Sequence, residues 1–160
     1  MGYLLILANE TTNNDKAFEI YGNLIDYRSV KSKRVTCSVL ASEIYRMVSG
    51  VDIAYVISST ITIITGQLQL PTIPIVVCTD LYSLYKCLVK LGTTKEKRLM
   101  IDIMAIQQSY KQRELQEIQW INGLDNPTDT MTKSNANKAL ESFVDTNKLM
   151  VQIEGWVKRV

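Results

Sequence analysis

The sequence predicts an α/β domain in which helices cover a mixed sheet. Three observations carry this. Residues 2–29 are short apolar runs punctuated by polar turn chemistry, the pattern of an antiparallel ribbon. At Ser38 the apolar spacing switches to three and four, as in a helix. Beyond residue 70, strand-length apolar runs alternate with helical stretches. At 160 residues and 46% hydrophobic content the chain makes one domain, long enough to bury a core without staples.

The elements follow in order. Residues 2–8 are a compact apolar strand, ended by the polar cluster 9–15, which reads as a loop. Residues 17–21 and 24–29 read as a second hairpin-like pair joined at Gly22 and Asn23, which tolerate positive φ. From Ser38, the spacing of Leu40, Ile44, Met47, Val51 and Tyr55 predicts one long helix towards Thr65, with a break near Gly50. Residues 73–79, with Pro71 and Pro74, predict a short strand buried on both faces and ending at Asp80. Helices are expected over 81–91, stopped by Gly92, and over 94–113, where Leu99, Ile103, Ile106 and Tyr110 share a face. Residues 117–121 form the next strand, 127–144 a helix, and 149–156 a last, half-exposed strand.

Composition narrows the chemistry. With no histidine, a His-dependent triad, a His-ligated zinc site and a His general base are excluded, and carboxylates remain as the source of hydrolytic chemistry. Cys37, Cys78 and Cys87 are odd in number with no C-x-x-C spacing, which fits reduced thiols in a reducing compartment. The N-terminal apolar run is too short for a secretory signal, and no stretch approaches ~18–20 uncharged apolar residues. The expectation is an intracellular protein, cytoplasmic or nuclear, with no membrane partner. A net charge of +2 leaves any nucleic-acid argument to where the charges cluster.

Three acidic residues fall at element ends that can converge. Glu43 lies in the first turns of the long helix, Asp80 at the carboxyl end of the buried strand, and Asp129 at the start of the last helix. Clustered carboxylates suit hard divalent ions such as Mg²⁺. Each also has an ordinary alternative: a solvated helix glutamate, a cap on the helix at Leu81, and a partner of the helix dipole. Asp125 belongs to the turn before Pro127.

The runs V-T-C-S-V-L-A-S-E-I-Y (35–45), C-T-D-L-Y-S-L (78–84), T-T-K-E-K-R-L-M-I-D-I (93–103) and I-Q-W-I-N-G-L-D-N-P-T-D-T-M-T-K (118–133) resemble the ribonuclease H domain that closes the polyprotein of copia-type LTR retrotransposons, particularly fungal ones. The resemblance is collinear over nearly the whole chain. It implies a ribonuclease H-like mixed five-stranded sheet flanked by helices, lacking or replacing the first strand, with an extra C-terminal strand. It also implies two-metal cleavage of the RNA strand of RNA–DNA hybrids, with Mg²⁺ or Mn²⁺ as cofactor and Glu43, Asp80 and Asp129 as catalytic and metal-binding residues.

The family's fourth carboxylate, on its first strand, has no counterpart. Either residues 2–8 match the family's second strand and the Asp-bearing strand lay upstream of Met1, or residues 2–8 serve as strand one and Asn9 stands near the missing position. The Gly2-Tyr3 opening favours the first. Both imply impaired metal binding and little cleavage, and a non-catalytic binding module, with a homodimer covering an exposed sheet edge, is the alternative. Two basic clusters are candidate phosphate contacts to an RNA–DNA hybrid or other nucleic acid. Arg28, Lys31, Lys33 and Arg34 form one, and Lys95, Lys97 and Arg98 the other.

Overall fold

A computed structural model of the chain describes residues 2–14, 16–30, 38–89, 97–135 and 137–156. Five strands, β1 (Gly2–Asn14), β2 (Ala17–Ser29), β3 (Val76–Thr79), β4 (Glu117–Ile121) and β5 (Lys148–Trp156), form one sheet in the order β1-β2-β5-β4-β3. The helices are α1 (Val39–Gln67), α2 (Tyr82–Val89), α3 (Met100–Lys111) and α4 (Ala139–Thr146). All neighbouring strands pair antiparallel except β3 and β4, which are parallel. The α/β class and the mixed, helix-flanked five-stranded sheet expected from sequence are therefore present.

Alternation along β4 sets the two layers. Ile118 and Trp120 face a core built from α1, α2 and α3, with Ile44, Leu84, Leu99 and Ile103 at its centre. Ile121 faces a second cluster in which Phe143 of α4 packs on Phe18, Leu149 and Val151. Helices therefore cover both faces. β5 is interior to the sheet, and it alternates because only its Leu149 and Val151 side is covered while Met150 is exposed.

The structure corrects several boundaries. β1 continues through the polar cluster to Asn14, because pairing with β2 supplies its backbone partners whatever the side chains prefer. Gly22 and Asn23 are not a turn, since β2 runs unbroken from Ala17 to Ser29. Gly22 is needed there for close approach instead: a Cβ would lie 2.1 Å from the Leu7 carbonyl oxygen and 2.5 Å from the Ala8 Cα. α1 is continuous through Gly50, whose missing Cβ makes room for the Tyr3 ring of β1.

β3 is shorter than expected and lies at the edge of the sheet, so Val76 and Cys78 are exposed rather than buried on both faces. Pro74, which has no N–H to give a ladder, stays outside it. In place of a helix over 127–144 there is a 3₁₀ turn, Pro127–Met131, and then the short α4. One further correction concerns α1, which by length and composition alone is long and apolar enough to cross a bilayer, although its Ala41, Ile44 and Val51 pack into the core.

Gly22→Ala is expected to force β1 from β2 and cost about 3 kcal/mol, the upper end of overpacking effects. Gly66→Ala, in the open last turn of α1 where a Cβ meets nothing within 4 Å, is expected to be neutral or stabilising by up to ~1 kcal/mol. Urea midpoints followed by circular dichroism check both.

Candidate carboxylate site

Local structure at each acidic residue decides whether its carboxylate is free for other work. At the end of β3, the Thr79 hydroxyl accepts from the Leu81 N–H at 3.2 Å and so serves the start of α2. Asp80 is left with its side chain uncommitted to that helix. The Trp120 indole N–H donates to the Asp80 carbonyl at 3.3 Å, and its ring lies 4.6 Å from that of Tyr82, fixing the strand end from behind. Trp120 is thus part of the core wall.

Glu43 is placed by the α1 start, where Ser38 accepts from the Ala41 N–H at 3.2 Å. Its carboxylate pairs with the Arg46 guanidinium one turn on. Asp129 is buried in the Pro127–Met131 turn, which Asn126 caps by accepting from the Thr128 N–H at 3.0 Å. Its carboxylate meets the Lys133 ammonium at 2.5 Å. Asp125 accepts from the Gln152 N–H at 2.9 Å, tying the preceding turn to β5.

The three carboxylates share one electrostatic neighbour. Burial pushes the Glu43 carboxyl up from its ordinary value, Arg46 opposes that, and the nearby Asp80 charge adds to it. Lys133 is held above the usual ammonium range, chiefly by its hydrogen bond to Asp129 and further by the charges of Asp80 and Glu43. Lys133 and Arg46 are the charged partners of this candidate site that sequence reasoning missed. Their signal was available in the i,i+4 spacing from Asp129 and the i,i+3 spacing from Glu43.

Carboxylate oxygens are the right donors for Mg²⁺ or Mn²⁺, yet among the described residues no three such groups stand close enough to share an ion. As arranged, Asp129 and Glu43 are paired with Lys133 and Arg46, which supply the positive charge there. Glu43 and Asp80 line a cleft of about 150 Å³ between the first residues of β1, β3 and α1, while Asp129 and Lys133 line a second hollow beside Asn122 and Asn137. Gly2 and Tyr3 border the first cleft, whereas Asn9 lies further along β1, opposite Tyr21.

Of the basic residues, Lys31, Lys33, Arg34 and Lys95 lie outside the described residues. Arg28 is exposed on β2 opposite Tyr3, at the same end of the ribbon as Gly2. Lys97 and Arg98 are exposed in a 3₁₀ turn before α3 and do not line the cleft. No family model, curated protein or solved structure matches the chain.

Two measurements test this description. A carboxyl whose pKa is raised on folding binds more protons in the folded state, so its contribution to stability is full below the ordinary carboxylate pKa and is lost as pH rises through the folded value. The denaturation midpoint of the native chain relative to Glu43→Gln is therefore expected to rise as pH falls through the raised Glu43 pKa, and to level off below the ordinary range. Cys78 is exposed as a residue on the edge strand, but its sulfur is turned in against Gln119 Oε1, and burial pushes the thiol from 9.0 up to about 12, with Glu10 and Glu117 adding to the effect. Its alkylation by iodoacetamide at pH 8, followed by peptide mass spectrometry, is expected to be at least about tenfold slower than that of an ordinary thiol.

Proposed function

We propose that the chain is a ribonuclease H-type nucleic-acid-binding domain that recognises RNA–DNA hybrids and has lost most or all of its hydrolytic activity. The observation that carries this reading is that Glu43 and Asp80, from separate elements, line one cleft, while Asp129 with its partner Lys133 lines a second hollow that Gly123 borders next to Asp80. Three carboxylates brought to one end of a sheet have no packing purpose, because burying like charges costs stability. Their cation here is an ammonium from the chain itself.

Support comes also from the four motifs that resemble the copia-type ribonuclease H domain. The pairing of Asp129 with Lys133 and of Glu43 with Arg46 puts fixed positive charge where a divalent ion would have to bind, which favours binding over catalysis. Arg28, Lys97 and Arg98 are exposed and free to meet phosphates. A Mg²⁺ or Mn²⁺ ion entering the cluster has to compete with Lys133 for Asp129.

The test is an anisotropy titration of a labelled RNA–DNA hybrid at several salt concentrations, with a cleavage assay in Mg²⁺ and in Mn²⁺. Salt-dependent binding is expected, and Lys97→Ala with Arg98→Ala should lower the slope of log affinity against log salt by about 2. Cleavage is expected to be no faster than that of the Asp80→Asn chain. Hydrolysis that vanishes in Asp80→Asn would overturn the loss of activity, and no hybrid binding at low salt would overturn the reading altogether.

A further inference from the structure

The sheet ends on two edges that face the same cleft. Among the described residues, β1 pairs only with β2 and β3 only with β4, so the outer edge of each is without a strand partner. The Ile75 carbonyl accepts from the Gln116 N–H at 2.8 Å, which turns Ile75 towards β4. Since backbone groups alternate in direction along a strand, the N–H and C=O of Val76 and Cys78 point the other way, into the open edge. Residues 2–5 of β1 and 75–80 of β3 form opposite walls of the cleft, and Met47, Val51 and Ala54 of α1 form an apolar floor.

We propose that this cleft is a docking groove for one extended peptide strand of another polypeptide, free of acidic residues and apolar on the alternate residues that face α1. Only an extended backbone satisfies two facing rows of amide donors and carbonyl acceptors at once. Following the pairings round the sheet, β1 and β3 run antiparallel to each other, so the inserted strand is antiparallel to one and parallel to the other. Its insertion closes the sheet and removes both edges.

The lining specifies the occupant further. Glu43 and Arg46 neutralise each other at the cleft wall, and Asp80 leaves the lining with one negative charge, which disfavours an anionic strand. Arg46 Nε is buried without a hydrogen-bond partner, and a neutral acceptor on the incoming strand, such as a carbonyl, supplies one. A second copy of this chain pairing through β1 would use one edge and leave β3 open, which favours a separate strand. The proposal shares Glu43 and Asp80 with the carboxylate reading but is carried by backbone edges and an apolar floor, so peptide binding and hybrid binding stand or fall separately.

The probe is a fluorescein-labelled, acetylated Lys-Val-Thr-Val-Thr-Val amide, of about the mean strand length. Its control carries N-methyl groups on alternate residues, which keep the side chains and remove one row of donors. Saturable binding is expected, weakened at least about tenfold by N-methylation and by Val76→Pro, which deletes an edge donor while sparing the β4 ladder. Amide exchange at Val76 and Cys78 should slow when the peptide is bound. Equal binding of the N-methylated peptide, no binding of the parent peptide, or a dimer in sedimentation that excludes it would each overturn the proposal, whether or not the Val76→Pro chain folds.

Discussion

The fold depends on one strand having partners on both sides. β5 pairs with β2 along Phe18 to Tyr21 and with β4 at its other edge, and without it the β1–β2 ribbon and the β3–β4 pair share no ladder. A two-stranded ribbon is marginal in water, so the long β1–β2 pair needs this attachment. Side contacts reinforce it: the Asn122 N–H donates to the Gln152 carbonyl at 2.9 Å, and the Ile153 N–H donates to the Lys16 carbonyl at 2.7 Å. The Phe143 cluster then seals the covered face of β5.

With that frame in place, the end of the sheet becomes a region where charge must be balanced locally. Glu43 is desolvated, Asp129 is buried, and Asp80 stands at a strand end whose capping duty Thr79 has taken. Each carboxylate withdrawn from water needs a cation or a donor nearby. Arg46 and Lys133 meet that need at helical spacing, so the same short-range geometry that stabilises the site also neutralises it. In a site organised this way, Glu43 and Asp129 already carry their counter-charge on the chain itself.

Much of this was legible in the sequence where local pattern and long-range pairing agree. The residues of β4 and the start of α1 at Ser38 match their periodicity closely, because burial on the sheet and side-chain capping act through near neighbours. Legibility failed where pairing overrode composition. The polar residues 9–14 extend β1 because β2 lies alongside, and Gly22 marks a close backbone approach that looks identical to a turn residue in one dimension. The edge position of β3 was hidden because an apolar run does not reveal which strands stand beside it. At the candidate site, the burial of Asp129 in a 3₁₀ turn against Lys133 was hidden because the helix begins later than the apolar pattern suggests.

The position of β5 in the chain also has a kinetic consequence. Phe18 must find Val151, a partner separated from it by most of the chain, so the contacts that join the sheet are among the most distant in sequence. On the ribosome, the β1–β2 ribbon emerges early and waits with both of its edges open until residues 148–156 leave the exit tunnel. During that interval the nascent ribbon is a template for strands from neighbouring chains, and protection by chaperones matters most before the final segment is released.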